Sequence, residues 1–251
     1  MRMDGAPATA LRMDDVGAST KRYEVYSHSR VGNWLFLKYL PPFKRWGPYR
    51  ELEPEELEGL LGLIERRGAR LTIAVTASWV EDERRRIPFP EAFPAQARVL
   101  REGVEGGLVE IANHGLTHCV VRGNAFKPRL FRSNREFHRE FWDWIPRAVQ
   151  EEHIRAAQDI LQSWLGREVV SFVPPGNVFG EGTLEIAARH GLRYVSCDAE
   201  PRVVGEIAIL GDRGVLPFHD REVVLEGLGW LEAHIPERSC FVRELGEAML
   251  R

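Results

Sequence analysis

Short apolar runs, each ending within a few residues in Asp, His, Asn or Gly, alternate along the chain with segments whose apolar positions recur at helical spacing. The runs read as buried strands and the spaced segments as amphipathic helices. Residues 8–13 form the first run and lead straight into Asp14-Asp15-Val16-Gly17. A helix follows from Glu53-Pro54-Glu55-Glu56, with acids in its first turn, Leu57, Leu60, Leu61 and Ile64 on one face, and Gly68 as its stop. Residues 71–76 read as the next strand. Residues 94–102 read as a helix returning to the run Val109-Glu110-Ile111-Ala112-Asn113. Residues 151–165 make a further amphipathic helix, with His153 expected at the surface. Residues 168–173, 193–198 and 214–220 complete the strands, with a helix over 183–190 that Gly191 closes. Residues 227–251 read as a terminal strand or helix packed on the rest. Strand and helix alternate, and polar groups gather where strands end, so the pattern predicts an α/β barrel with its chemistry at the C-terminal mouth of the sheet.

Two long insertions break this rhythm. Residues 21–49 hold Tyr23, Tyr26, Tyr39 and Tyr49 with Trp34 and Trp46, interrupted by Pro41-Pro42 and Pro48. A long insertion behind a first strand is where binding loops sit, so this segment is a candidate substrate lid, and equally a satellite core packed under a loop. Residues 120–146 combine Arg129, Arg132, Arg135 and Arg139 with Phe126, Phe131, Phe137, Phe141, Trp142 and Trp144. Such a surface suits an anionic sugar conjugate, through guanidinium forks and ring stacking, or an oligomer contact. The run Arg84-Arg85-Arg86 reads as a solvated face.

Composition narrows the field. A chain of 251 residues fits one barrel-sized domain, and residues 1–251 are expected to form a single catalytic domain. The formal net charge of -3 carries no footprint for nucleic acid, which is not the expected partner. Cys119, Cys197 and Cys240 are odd in number and widely spaced, so they read as free thiols of a reducing compartment. With no export signal and no apolar run of membrane-spanning length, the expected location is cytoplasmic. Nothing in the sequence sets the oligomeric state.

The chemistry concentrates in two places. His114-Gly115-Leu116-Thr117-His118 follows a buried run, so the turn after a strand can aim two imidazoles at one point. Neutral imidazole suits zinc and its first-row neighbours, and two rings leave room for a carboxylate and a water. Asp14 and Asp15 end the first strand. By strand alternation they point in different directions, so one is available to ligate a metal while the other stands over substrate and water. A third turn, Pro174-Pro175-Gly176-Asn177, is rigid and has backbone N–H groups to offer.

The order of these strand ends resembles the polysaccharide deacetylases of the NodB-homology, carbohydrate esterase 4 type. Asp14-Asp15, His114-x-x-x-His118, Phe172-Val173-Pro174-Pro175-Gly176-Asn177, Asp198 and Leu216-Pro217-Phe218-His219-Asp220 stand in the family's motif order. The resemblance implies a distorted (β/α) barrel of about seven strands, a variant of the barrel logic above. It implies Asp15, His114 and His118 as ligands of one divalent metal ion, zinc first, with cobalt, nickel or manganese as alternatives. It implies Asp14 as the catalytic base, His219 as the general acid, Asp198 as the carboxylate that orients His219, and the Gly176 N–H as an oxyanion donor. The activity implied is removal of N-acetyl, or O-acetyl, groups from a sugar or glycan precursor, phosphate-linked in one version. Hydrolysis of another non-peptide C–N bond on the same site, or a catalytically silent carbohydrate-binding relative, are the alternatives. Two positions depart from the family pattern. Val173 stands where an arginine usually pairs with the base, and no tryptophan accompanies Asp198. Arg12, two residues before Asp14 and on the same side of the strand, is the candidate replacement.

Overall fold

In a computed structural model that describes residues 8–27, 37–82, 85–119, 139–211 and 214–251, the strands assemble around one curled sheet. In chain order the elements are β1 (Thr9–Val16), the antiparallel pair β2 (Tyr26–Ser27) and β3 (Lys44–Trp46), α1 (Pro54–Arg66) and β4 (Leu71–Val75). The pair β5 (Ser78–Val80) and β6 (Arg86–Pro88) leads to α2 (Phe89–Ala92), α3 (Pro94–Glu105), β7 (Val109–Asn113) and α4 (Arg147–Leu165). Next come β8 (Ser171–Phe172), α5 (Glu181–Arg189), β9 (Tyr194–Ser196), and the hairpin of β10 (Arg202–Val204) and β11 (Ile207–Leu210). The chain finishes with β12 (Val215–His219), α6 (Asp220–Glu226), α7 (Leu228–His234), β13 (Ser239–Cys240) and α8 (Val242–Leu250).

The sheet order is β10-β11-β9-β8-β7-β4-β1-β12, with β13 added beside the start of β1. From β12 across to β11 the strands all run parallel, which is the distorted (β/α) barrel the sequence implies. Parallel strands covered by helices are buried on both faces and therefore read as continuous apolar runs. Leu11, Met13, Leu71, Ile73, Val75, Val109 and Ile111 face the main helix-side core, which α1 closes with Leu57, Leu60 and Ile64. The alternate residues of the same strands face the inside of the curl. There the side chains are small or polar: Ala74, Ala112 and Val173 form a narrow waist. Beneath it, the buried Glu110 carboxylate accepts hydrogen bonds from Thr72 Oγ1 (2.8 Å) and Ser171 Oγ (2.6 Å). Arg12 and Asp14 are buried on β1, with Arg12 in register with Thr72.

Several boundaries differ from expectation. The strand expected over 168–173 shrinks to Ser171–Phe172, because the His114 ring takes the Val173 carbonyl and two prolines follow. The β10–β11 hairpin is an addition to the expected pattern, although Gly205-Glu206 between two short apolar runs is a hairpin signal. Helix α4 begins at Arg147, earlier than expected, and His153 is buried within it, not at the surface. Its Nδ1 donates to Glu140 Oε1 at 2.5 Å, a contact that a lone histidine on an amphipathic helix does not advertise. The C-terminal region forms two helices and a short strand. His28, Trp34, Arg84 and the stretch 120–138, which includes Phe126, Arg129, Phe131, Arg132, Arg135 and Phe137, lie outside the described residues.

Candidate active site

The parallel register brings the strand ends to one mouth. Asp14 on β1 pairs in register with His219 on β12, so residues far apart in sequence become lateral neighbours. Asp14 and Asp15 do not diverge as strict alternation predicts. Asp15 takes a left-handed backbone conformation (φ 74°), the pairing of β1 with β4 shifts register between Met13 and Val16, and both carboxylates line the same cleft. A non-glycine residue in that conformation is uncommon, and its cost of about 1–3 kcal/mol points to a functional constraint at Asp15.

Opposite Asp15, β7 ends at Asn113 and the His114–His118 turn begins. Asp15 Oδ1 lies 3.2 Å from His114 Nε2 and 3.1 Å from His118 Nε2. These are the donor atoms a small divalent cation takes, and all three lie within 4.8 Å of one another. His114 Nδ1 donates to the Val173 carbonyl at 2.6 Å, which fixes the tautomer that leaves Nε2 as a lone-pair donor. His118 Nδ1 has Thr20 Oγ1 at 2.8 Å, able to accept the ring proton when Nε2 serves a metal. Burial, followed by the charge of Arg139, holds His118 well below its usual pKa and so in the neutral form a ligand requires. The donor set therefore fits one metal ion. The Arg139 guanidinium works against a cation: its Nη1 lies 2.5 Å from His118 Nδ1 and, as a donor only, competes with Thr20 for that nitrogen by requiring it as an acceptor. Arg139 is paired with Glu24 at 2.9 Å. The same guanidinium lies among Glu24, His118 and Cys119, a second group of converging donors, and fills the place a second ion would need.

The loop carrying the two histidines is held by a residue that sequence reasoning missed. The Glu140 carboxylate, fully buried, accepts from the backbone N–H groups of Leu116 (3.1 Å), Thr117 (2.9 Å) and His118 (3.1 Å). Gly115 is left-handed (φ 77°), and a Cβ there would overlap that carboxylate, so glycine is required by backbone and by space.

Arg12 grips Asp14 with both arms, Nε to Oδ1 at 2.9 Å and Nη2 to Oδ2 at 2.8 Å, while Nη1 reaches across the curl to Ser196 Oγ at 2.7 Å. Gly176, also left-handed (φ 66°), lines the cleft beside Arg139. His219 lines the opposite wall. Asp198 does not join it: that residue is exposed on the turn after β9 and is not part of the cleft lining. The carboxylate beside His219 is Glu222, with Oε2 2.7 Å from the His219 backbone N and 3.5 Å from its Nδ1. Burial lowers the His219 pKa, but Glu222, then Asp15 and Asp14, raise it above its usual value overall.

The aromatic insertion reaches this wall. Trp46 stacks on Tyr26 (ring centroids 5.6 Å) and carries the Arg221 guanidinium 4.4 Å above its ring, so in this arrangement a protein cation already lies over the ring. Below it Lys21, fully buried, bonds both Glu51 (2.8 Å) and Asp220, and Tyr49 Oη donates to Asp220 Oδ1 at 2.9 Å. Of the basic aromatic stretch, Phe141 is core and Trp144 is exposed.

Comparison with known proteins bears on the fold and the family. The chain has no match among curated proteins. Among solved structures, a candidate polysaccharide deacetylase from Mycobacterium smegmatis shares the fold with a TM-score of 0.54, at 12% identity, over 100% of this chain and 93% of that one. A family 4 carbohydrate esterase from Streptomyces lividans aligns over 90% and 89% of the two chains at 14% identity, with a TM-score of 0.43. BA3943, a CE4 family pseudoenzyme from Bacillus anthracis, aligns over 97% and 65% at 13% identity, with a TM-score of 0.48. The family model for polysaccharide deacetylase matches residues 47–195, a span that holds His114, His118 and Gly176 but not Asp14, Asp15 or His219. More than half of the sequence lies in that match, and the chain belongs to the polysaccharide deacetylase family.

Proposed function

We propose that this chain is a metal-dependent hydrolase that removes an N-acetyl group, with O-acetyl as the secondary case, from a sugar or glycan precursor, and that its 251 residues act as one catalytic domain. The observation that carries the reading is the convergence of Asp15 Oδ1 with the Nε2 atoms of His114 and His118, next to an Arg12-held Asp14 that faces His219 in register. A divalent ion held by Asp15, His114 and His118, zinc above the other first-row metals, would supply a Lewis acid for the acyl carbonyl and lower the pKa of a bound water.

The chain's own residues do the rest. Asp14 accepts the proton of the attacking water as the C–O bond forms. Arg12 fixes that carboxylate bidentately, so its orientation is set before substrate arrives; it fills the role that Val173 cannot. His219, on the neighbouring strand, gives its proton to the departing amine nitrogen as the C–N bond breaks. The N–H of Gly176 is the candidate donor to the oxyanion, an interaction worth about 2.7–4 kcal/mol where such donors have been removed.

Elemental analysis of purified protein beside His114→Ala tests the reading. Near one equivalent of divalent metal in the wild type, lost in the variant, together with acetate release from N-acetylated glycans, is the expected outcome. A wild type that stays metal-free after incubation with zinc, cobalt, nickel and manganese would refute it.

A further inference from the structure

We propose that Glu222, and not Asp198, is the carboxylate partner of His219: a positioning residue that holds the imidazole by its Nδ1 edge and leaves Nε2 as the nitrogen that serves the cleft. The inference rests on the hydrolase reading for the acid's role, but the pairing itself stands on geometry.

His219 is the last residue of β12 and sits immediately before α6. A helix start at that point places the residue three positions on beside the imidazole and the first backbone N–H, where an acid is also favoured by the helix dipole. Glu222 occupies that place. One of its oxygens, Oε2, reaches both the His219 backbone N (2.7 Å) and Nδ1 (3.5 Å), while Oε1 is bonded by Arg221. The carboxylate is thus fixed from two sides. Burial alone would raise its pKa; hydrogen bonding to His219 and the charge of Arg221 instead hold it down at about 2, so it stays an anion throughout the working range. Asp198 offers none of this: it is exposed and outside the cleft.

The groups that act on His219 come from two elements. β1 presents Asp14 and Asp15, and α6 presents Glu222 and Arg221, the last opposing the other three. Arg12 takes both oxygens of Asp14 and the two histidines crowd Asp15 Oδ1, whereas Glu222 gives only Oε1 to Arg221 and keeps Oε2 for His219.

The test is a histidine NMR titration of wild type, Glu222→Gln, Glu222→Asp and Asp198→Asn, with resonances assigned by His219→Gln. Glutamine keeps an oxygen for the His219 backbone N–H, so the helix start survives. In E222Q the His219 midpoint is expected to fall by about one pH unit, a tenfold loss of proton affinity. E222D should restore part of that shift, and D198N should leave it unmoved. On an acetylated glycan, E222Q should move the alkaline limb of kcat downward in pH by the same amount. An unmoved His219 in E222Q, or an equal shift in D198N, would overturn the pairing. A shifted midpoint without turnover of any acylated substrate by the wild type would overturn the acid's role and the hydrolase reading with it, while the pairing stands.

Discussion

Replacing Arg12 by methionine removes a guanidinium that makes three bonds, two to Asp14 at 2.9 and 2.8 Å and one to Ser196 at 2.7 Å. Methionine fills much of the aliphatic volume, so the loss is mainly electrostatic. Asp14 is only 6% exposed and would be left as a buried carboxylate without its partner. Breaking one side of a buried pair costs about 3–5 kcal/mol, because the remaining charge keeps its desolvation penalty and loses its compensation. Stranding the Ser196 hydroxyl adds about 1 kcal/mol. Arg12→Met is therefore expected to lower unfolding free energy at pH 7 by about 4–6 kcal/mol. Adding Asp14→Asn removes the charge and should recover at least about 2 kcal/mol of that, within the coupling range of contacting residues. Urea unfolding of the four proteins in the cycle measures both quantities. Arg12→Lys, which keeps the charge but not the fork, should retain more stability than Arg12→Met and still lose acetate release. The reasoning fails if Arg12→Met unfolds within about 1 kcal/mol of wild type, if Asp14→Asn brings no recovery, or if Arg12→Ala keeps activity and pH profile unchanged.

Other consequences follow from the clamp and the buried charges. Glu140→Ala would strand the N–H groups of Leu116, Thr117 and His118, each worth about 1–3 kcal/mol, so unfolding should come several kcal/mol sooner and zinc affinity should drop about 10–100-fold in a direct titration. Gly115→Ala should do the same through overlap with Glu140, and wild-type zinc affinity in that variant would disprove the clamp. The buried Asp220 has its carboxyl pushed up to about 7, by burial first and against the pull of Lys21, with Glu51 adding to the rise. A carboxyl raised on folding contributes stability below its unfolded pKa of 3.8 and loses it as pH climbs through the folded value. Between those limits the wild type should lose up to about 1.4 kcal/mol per pH unit from this group, and Asp220→Asn should lack that component. Superimposable stability-against-pH curves from pH 4 to 8 would refute it.

Local chemistry makes much of this molecule legible in its sequence. A buried parallel strand must be apolar and must hand over to a polar turn, so Asp14-Asp15, Asn113-His114 and Phe218-His219 announce both the strands and their mouth. Helix faces such as Leu57, Leu60 and Ile64 are equally plain, because amphipathicity is written within one segment. The barrel is reached that way; the family, and with it the choice of Asp15, His114 and His118 as one set, comes from the resemblance in the order of strand ends, which survives folding unchanged.

What tertiary structure decides lies between segments. Glu140 and Arg139 sit late in an insertion whose composition suggests an anionic-sugar surface or an oligomer contact, yet one grips the histidine loop and the other touches a histidine ring, because only packing brings those backbones together. Alternation places Arg12 on the side of Asp14, but its reach to Ser196 depends on how far the sheet curls. The left-handed turn at Asp15 overrides alternation and puts both aspartates in one cleft. Motif order puts Asp198 beside His219, whereas the turn after β9 carries it into solvent and a helix start delivers Glu222 instead. Periodicity determines which face a residue occupies. Which groups meet across a curled sheet is set by strand register and backbone torsions, and these follow from the packing of the whole chain.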